Sequence, residues 1–274
     1  MNISTKNEYI VVGDVHGCID ELKLLLIQNG FIINSDNFID SRVSNKSIIL
    51  LGDFIDKAND IKLIETIEFI YKNYYHLNKT SERFYLIMGN HEEMVYRYIT
   101  NDPTLKITPK SVEKKRKYYN TVFLLEQNKK LRDKFIELYH NSYIWLKYNY
   151  SKEFSISLTH APCEERYLTK DDEISKKKMV KSISRSKNRG VKLDILLSYL
   201  LKEAKDNRNY HIFGHLSQPN IRQYKNKICI DTSAIYGNSL SCAIIQKDRL
   251  RFNSVKFQNR QKSTTQNYNL LFDF

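Results

Sequence analysis

Short apolar runs alternate with amphipathic segments along the first hundred residues. Three runs are rich in β-branched and aromatic residues and end at glycine, a pattern typical of buried strands; they lie at 8–13, 47–52 and 84–89. The segments at 19–29 and 60–75 carry apolar residues at helical spacing, and another helix is predicted from His91. This alternation predicts an α/β fold with a mainly parallel sheet that helices cover on both faces.

The second half of the chain combines polar helical segments with shorter strands. We interpret 101–150 as a helical insertion before a strand at 154–159. A basic insertion at 164–190 is followed by a predicted helix at 192–206. The remaining predicted strands suggest an antiparallel second half; they lie at 210–214, 227–231, 240–246 and 249–257.

Blocks of glycine with acidic, amide and imidazole residues follow four of the apolar runs. In open α/β sheets the strand ends meet at one edge, and ligands are held there. We therefore expect the side chains of these blocks to form one site. The blocks are Gly13-Asp14-Val15-His16-Gly17, Gly52-Asp53-Phe54-Ile55-Asp56, Gly89-Asn90-His91-Glu92 and Gly214-His215.

Length and composition indicate a globular chain. With 274 residues and 41% hydrophobic residues, we expect one domain over 1–257 and a C-terminal tail at 258–274. No apolar run approaches the roughly 20 residues that cross a bilayer, and the first residues lack the apolar segment of a signal peptide. We therefore expect a cytoplasmic protein, in the host cytoplasm if it is viral, without a membrane partner. The four cysteines are far apart, which favours reduced and buried thiols.

The chain carries a formal net charge of +13, which favours phosphate-bearing partners. The densest basic runs are Lys110 to Lys117 and Lys176 to Arg189. A solvated surface is the default interpretation of such runs, and nucleic-acid binding through them is the minority hypothesis. The runs carry few aromatic residues that could stack on bases.

Six side chains at the predicted strand ends offer metal-ligating atoms. Mixed carboxylate, imidazole and amide ligands suit Mn²⁺, Fe²⁺ or Zn²⁺ better than Ca²⁺ or Cu⁺. Six ligands are too many for one zinc ion, whereas two ions that share one carboxylate would use them all and would support in-line attack on phosphorus. The six are Asp14, His16, Asp53, Asn90, His160 and His215.

Three of the blocks resemble, in order and spacing, the motifs of the calcineurin-like metallophosphoesterases. They are Gly-Asp-Val-His-Gly, Gly-Asp-Phe-Ile-Asp and Gly-Asn-His-Glu. The likeness is to the branch with Ser/Thr phosphoprotein phosphatases, symmetrical dinucleoside tetraphosphatases and polynucleotide phosphatases. Thr159-His160-Ala161 and Gly214-His215 extend it over most of the chain. The resemblance implies two packed mixed sheets flanked by helices.

The resemblance also implies a role for each site residue. Asp14 and His16 would bind the first metal ion and Asp53 would bridge, while the second ion would be bound by Asn90, His160 and His215. His91 would be the general acid, oriented by Asp56. The implied cofactor is a pair of divalent ions, most simply Mn²⁺, with Fe²⁺, Zn²⁺ or Ni²⁺ as alternatives.

Three further residues are assigned from shorter matches and from a departure. Lys57 stands where the family usually has arginine, so a planar phosphate clamp is replaced by a flexible point charge. Asn188-Arg189-Gly190-Val191 resembles a region that brings a phosphate-binding arginine to the site. Asp231, in Asp231-Thr232-Ser233, would support a metal ligand, although an ordinary turn aspartate explains it about as well.

These observations predict a metal-dependent phosphoesterase that acts on phosphomonoesters. A Ser/Thr protein phosphatase is the first hypothesis, so the substrate would be a phosphoprotein. The alternative is a nucleotide or polynucleotide phosphatase. A binding protein that has kept the fold and lost the chemistry is disfavoured, because every ligand and the acid are present.

Overall fold

In the computed structural model, the described residues are 1–40, 42, 45–105, 119–182 and 189–257, with no description of the side chains at 189–193. They form eleven strands and seven α-helices. The predicted tail at 258–274 and the basic run Lys110–Lys117 lie outside the described residues. Of the second basic run, Lys176 to Arg189, residues 183–188 lie outside them as well.

The first sheet consists of five strands. Their bounds are β2 Glu8–Val12, β3 Lys46–Leu50, β4 Phe84–Leu86, β10 Ser239–Gln246 and β11 Arg249–Lys256. The order is β11-β10-β2-β3-β4, in which β2, β3 and β4 are parallel and β10 is antiparallel to β2 and β11. The predicted strand-helix alternation is therefore confirmed for the first half of the chain.

The second sheet consists of six strands. Their bounds are β1 Asn2–Ile3, β5 Trp145–Asn149, β6 Phe154–Thr159, β7 Arg208–Phe213, β8 Arg222–Tyr224 and β9 Lys227–Cys229. The order is β1-β5-β6-β7-β9-β8, and β7 is parallel to both β6 and β9. The expectation of an antiparallel second half is wrong at β7, because the connection from β6 contains helices and is long enough to cross over.

The helices lie on the outer faces of the two sheets. Their bounds are α1 Ile19–Gln28, α2 Asp60–Leu77, α3 Asn90–Ile99, α4 Asn120–Gln127, α5 Lys129–His140, α6 Glu173–Lys181 and α7 Arg189–Glu203. Side-chain caps start several of them: Asn59 accepts from the amide of Lys62, and Asp172 accepts from those of Ile174 and Ser175. None of the described helices has the length and apolarity that crossing a bilayer requires.

The apolar residues form two main layers. Strand β2 shows the division: Ile10 and Val12 pack against α1 to α5, whereas Tyr9 and Val11 pack between the two sheets. Successive strand residues face opposite sides, so a continuous apolar run is buried twice. The two mixed sheets flanked by helices confirm the predicted fold class. All four cysteines are buried and free.

The predicted helical insertion at 101–150 is correct only in part. Residues 120–127 and 129–140 are helical, and Phe135 and Leu138 pack into the same core as α2 and α3. The helical interpretation is wrong at β5, where Leu146 and Tyr148 are buried and their neighbours are more exposed. This period of two is a strand pattern that a five-residue segment shows weakly. The domain boundaries remain a prediction.

Candidate active site

The strand-end side chains meet at one edge of the paired sheets. The carboxyl ends of β2, β3 and β4 are level in register, and those of β6 and β7 are level in the second sheet. Within the second sheet, the amide of Gly214 donates to the carbonyl of His160. The two edges are joined by the amide of His215, which donates to both oxygens of Asp14 at 3.1 and 3.2 Å. The structure therefore brings together the six predicted ligands.

Left-handed backbone conformations concentrate in the loops of this edge. The φ angles are positive at His16, Asp53, Asp56, Lys57 and His215, with values of 43°, 50°, 67°, 73° and 67°. Such angles are uncommon for residues other than glycine, and each costs about 1–3 kcal/mol. The tertiary contacts of the site must therefore hold these loops in place.

Glu92 supplies much of that support, and the sequence analysis gave it no role. Its carboxylate is fully buried and accepts from the amides of Asp53, Phe54, Ile55 and Gly89 at 2.8, 2.9, 3.3 and 3.0 Å. Burial, followed by the nearby Asp53 carboxylate, raises the pKa of Glu92 to about 8. Its position as the last residue of Gly-Asn-His-Glu was the available signal, since a buried acid needs partners.

Two glycines allow the loops to approach closely. A Cβ atom at Gly214 would lie 2.1 Å from Oδ1 of Asp14, and one at Gly89 would lie 2.3 Å from the Asp53 amide nitrogen. Real Cβ atoms are not found at such distances from other atoms. The glycines of these blocks therefore permit the contacts between loops that carry ligands.

Two of the predicted ligand imidazoles have a fixed tautomer. Nδ1 of His16 donates to the carbonyl of Ile55, and Nδ1 of His160 donates to that of Leu51, each at 2.7 Å. A carbonyl only accepts, so the proton is on Nδ1 and the Nε2 lone pair faces the site. Burial lowers the pKa of both histidines, which keeps the rings neutral. A neutral imidazole is the form that binds metal.

Acceptor atoms face one another around Asp53. His160 Nε2 lies 3.4 Å from Asp53 Oδ1 and 3.2 Å from Asn90 Oδ1, and none of these three atoms carries a proton in the fixed tautomer. His215 Nδ1 is 3.2 Å from the same His160 nitrogen. His160 Nε2 and the two oxygens, held this close, favour a cation between them, because none of these three atoms has a hydrogen to share.

The buried carboxylates also favour a cation. Burial, Asp231 and Asp53 together raise the pKa of Asp14 well above its usual value. Burial also raises the pKa of Asp231. The structure thus places Asp231 where its charge acts on the predicted ligands.

Asp53 belongs to two groups of potential metal ligands. Within each group, the ligand atoms all lie within 4.8 Å of one another. One group also contains His16 and His91, and the other also contains His160 and His215. A carboxylate shared by two groups is the arrangement that a bridging ligand requires. The two groups that share Asp53 therefore fit a pair of divalent ions.

The Lys57 ammonium donates to His16 Nε2 at 2.6 Å, so this structure has a positive charge within the first group.

His91 and Asp56 form a buried pair beside these groups. Nδ1 of His91 donates to Asp56 Oδ2 at 2.6 Å, and its Nε2 lies 3.9 Å from Asp53 Oδ2. The other Asp56 oxygen accepts from the amide of Thr121 at 3.0 Å, and the Thr121 hydroxyl accepts from the Asp56 amide at 2.9 Å. The carboxylate fixes the tautomer and orientation of the ring, which directs Nε2 toward the site.

The two predicted phosphate-binding residues have different outcomes. Lys57 lies at the site, with its amide bonded to the Asn120 side chain at 2.9 Å and its ammonium beside His16. Arg189 begins α7, but its side chain is not among those described. The role of Arg189 therefore stays a prediction.

Comparisons with known proteins agree with this geometry. The sequence model of the calcineurin-like phosphoesterases matches residues 9–228. Asymmetrical bis(5'-nucleosyl)-tetraphosphatase PrpE of Oceanobacillus iheyensis is 27% identical over 237 residues, which cover 84% of this chain and 86% of that protein. Shewanella-like protein phosphatase 1 of Plasmodium berghei is 34% identical over 93 residues, which are 34% of this chain and 24% of that protein.

A solved structure that is provisionally described as a diadenosine tetraphosphatase has the same fold. It superposes with a TM-score of 0.60 at 13% identity and covers 94% of this chain and 98% of its own. The fold and the site define a metal-dependent hydrolase of phosphoric esters. The chain belongs to the calcineurin-like phosphoesterase family, whose members bind a dinuclear metal centre, and the predicted resemblance is confirmed.

Proposed function

We propose that this chain hydrolyses dinucleoside polyphosphates at a dinuclear metal site, with cleavage away from the centre of the polyphosphate. The observation that carries the phosphoesterase assignment is the set of acceptor atoms that converge on Asp53. The substrate class is supported by relatives such as the asymmetrical tetraphosphatase of Oceanobacillus iheyensis. This reverses the order expected from the sequence, in which a Ser/Thr protein phosphatase came first.

We assign the metal ligands as the sequence predicts. Asp14 and His16 would hold one ion and Asp53 would be shared, and the other ion would be held by Asn90, His160 and His215. Mn²⁺ suits this mixture of carboxylate, imidazole and amide. When bound, two divalent ions polarise the phosphoryl group and make the attacking water more acidic. Asp231 would hold additional negative charge beside Asp14, which strengthens the attraction for cations.

His91 would supply the proton that the leaving group needs. The oxygen of water would form a bond to phosphorus and release a proton to solvent, while the bond from phosphorus to the bridging oxygen breaks. That bridging oxygen would take the Nε2 proton of His91, which enters the step with protons on both ring nitrogens and leaves it as the neutral Nδ1–H tautomer. The hydrogen bond from Nδ1 to Asp56 leaves Nε2 as the atom that faces the site. Lys57 would bind a phosphate oxygen through its ammonium group.

The products of diadenosine tetraphosphate test this proposal. With Mn²⁺, the wild-type chain should release ATP and AMP, because cleavage away from the centre leaves unequal products. Chromatography of the nucleotides over time measures the split. Asp53→Asn should lose more than nine-tenths of the rate while circular dichroism shows a folded chain, since the change weakens both metal groups.

Two results would contradict the proposal. Two molecules of ADP would show central cleavage, and an Asp53→Asn variant with more than about a tenth of the wild-type rate would exclude a shared carboxylate.

A Ser/Thr protein phosphatase is the second candidate, and the short match to the Plasmodium berghei phosphatase supports it. The same assay with phosphoserine peptides separates the two candidates. Faster release of phosphate from the peptides than of nucleotide from diadenosine tetraphosphate would favour the protein phosphatase.

A further inference from the structure

Tyr236 presents an exposed aromatic ring at the mouth of the site. Its side chain is 39% exposed and lies in a short 3-10 turn, 234–236, that follows Asp231. Left-handed residues bound the turn on both sides: Ser233 has a φ of 61° and Gly237 one of 84°. The turn is fixed from within, because the amide of Tyr236 donates to the carbonyl of Ser233 at 3.0 Å.

Neighbouring contacts hold the turn rigidly. The Ser233 hydroxyl is 2.6 Å from that of Ser217, which lies two residues after the ligand His215. Ala234 is buried in the main core. A ring on a rigid turn loses little conformational freedom when it binds a ligand, so it is suited to serve as a contact surface.

The ring is connected to the site through Lys57. The Lys57 ammonium lies 5.6 Å from the centre of the Tyr236 ring and 2.6 Å from His16 Nε2. Four tyrosines are among the most exposed hydrophobic side chains of the described residues: Tyr75, Tyr150, Tyr199 and Tyr236. Of these four, Tyr236 is the one with a described contact to a site residue. A group bound at Lys57 would therefore extend toward the ring.

We infer that Tyr236 is a stacking platform for a nucleobase, in a subsite where Lys57 holds the adjoining phosphate. This inference rests on the proposed function, since a dinucleoside polyphosphate carries a base close to its reacting phosphate. Aromatic rings bind every base by its π-face, so the subsite accepts nucleotides with little preference among bases. The separation of charge and ring matches a nucleoside 5'-phosphate, which has an anion at one end and a flat base at the other.

Inhibition by AMP and by inorganic phosphate tests the platform. Both are measured as competitors of Mn²⁺-dependent hydrolysis of p-nitrophenyl phosphate. Both inhibitors compete with the same reporter substrate. Any contact between its nitrophenyl ring and Tyr236 therefore affects both inhibition constants equally and cancels in their ratio. AMP should bind the wild-type chain about tenfold more tightly than phosphate does, which is a usual contribution from stacking one base.

Variants at Tyr236 distinguish stacking on the ring from a general structural effect of the side chain. Tyr236→Phe keeps the ring and should keep the advantage of AMP, whereas Tyr236→Leu keeps apolar volume and should lose it. Tyr150→Leu is the matched control, because Tyr150 is 43% exposed and lies before β6, at the opposite end of that strand from His160. It should leave the ratio unchanged.

Two outcomes would overturn the platform. The first is equal inhibition by AMP and phosphate in the wild-type chain, and the second is an unchanged ratio in Tyr236→Leu, whether both affinities stay the same or fall equally. If Tyr236→Leu instead weakens a phosphoserine peptide as much as AMP, the ring contacts a peptide side chain and the nucleobase assignment is wrong. Failure of the proposed function looks different: the wild-type chain would leave diadenosine tetraphosphate intact, while inhibition by AMP would still report on the ring.

Discussion

His91 differs from His16 and His160 in the partner of its Nδ1 atom. The rings of His16 and His160 donate to neutral backbone carbonyls, whereas the ring of His91 donates to the carboxylate of Asp56. Both partners occur in metal-ligating histidines, but a carboxylate also stabilises the protonated ring that a general acid requires. His91 also shares a potential metal group with His16 and Asp53, so the metal content of a His91 variant distinguishes a general acid from a ligand.

At the scale of this residue, we predict that His91→Asn keeps its metal and loses rate. The loss should be about 10²- to 10⁴-fold with poor leaving groups and smallest with p-nitrophenyl phosphate, because a general acid matters least when the leaving oxygen is already acidic. Metal content by mass spectrometry and rates on a series of leaving groups provide the measurement. His160→Asn is the control and should lose metal. Metal loss in His91→Asn as large as in the control would make His91 a ligand.

At the scale of elements, the start of α4 supports the acid pair from a distant part of the chain. Thr121 exchanges two hydrogen bonds with Asp56, and the Asn120 side chain accepts from the amide of Lys57. The ring of Tyr119 lies 5.2 Å from that of His91. Helix α4, which lies within the predicted insertion at 101–150, is therefore part of the active-site scaffold.

We predict that Thr121→Val lowers kcat about tenfold with a smaller change in KM. The change removes the acceptor of the buried Asp56 amide, and an unsatisfied buried amide costs about 1–3 kcal/mol. Steady-state kinetics on one substrate measure the effect, together with the free energy of unfolding in urea. The matched control is Thr100→Val, since the Thr100 hydroxyl bonds a backbone carbonyl at the end of α3 and is exposed. Equal effects of the two changes on kcat would contradict a positioning role for Thr121.

At the scale of the whole molecule, the site concentrates negative charge in a strongly basic chain. Asp14, Asp53 and Asp231 are buried within reach of one another's charge, while the chain as a whole carries +13. Burying three carboxylates together opposes folding unless cations offset them. Divalent ions should therefore stabilise the folded state and not only support turnover.

We predict that Mn²⁺ raises the melting temperature by about 5 °C or more relative to chelator. An ion at 100 times its Kd adds about 2.7 kcal/mol to the free energy of unfolding, and each kcal/mol shifts Tm by about 2–4 °C in chains near this length. Calorimetry with Mn²⁺ and with EDTA measures the shift. Asp53→Asn should lose most of the shift, and Asp248→Asn, an exposed carboxylate beside Arg208, should keep it. An unchanged melting temperature on chelation would argue against a metal site.

The convergence of the predicted ligands and the first half of the fold are determined by the sequence itself. Apolar runs that end at glycine identify β2, β3 and β4, and residues just past the ends of parallel strands must gather at one edge. This rule placed Asp14, Asp53 and Asn90 together without any knowledge of distances. It worked because the pattern is local and the convergence follows from strand direction alone.

The tertiary structure decided what depends on contacts between distant residues. Three such features leave no periodic signal in the chain. They are the four amides that Glu92 binds, the bonds of Thr121 to Asp56 across 65 positions, and the parallel pairing of β7. The same holds for the ring of Tyr236 beside Lys57. Each arises where two segments that are distant in the chain meet, and the geometry of that meeting is set by the packing of the whole fold rather than by either segment.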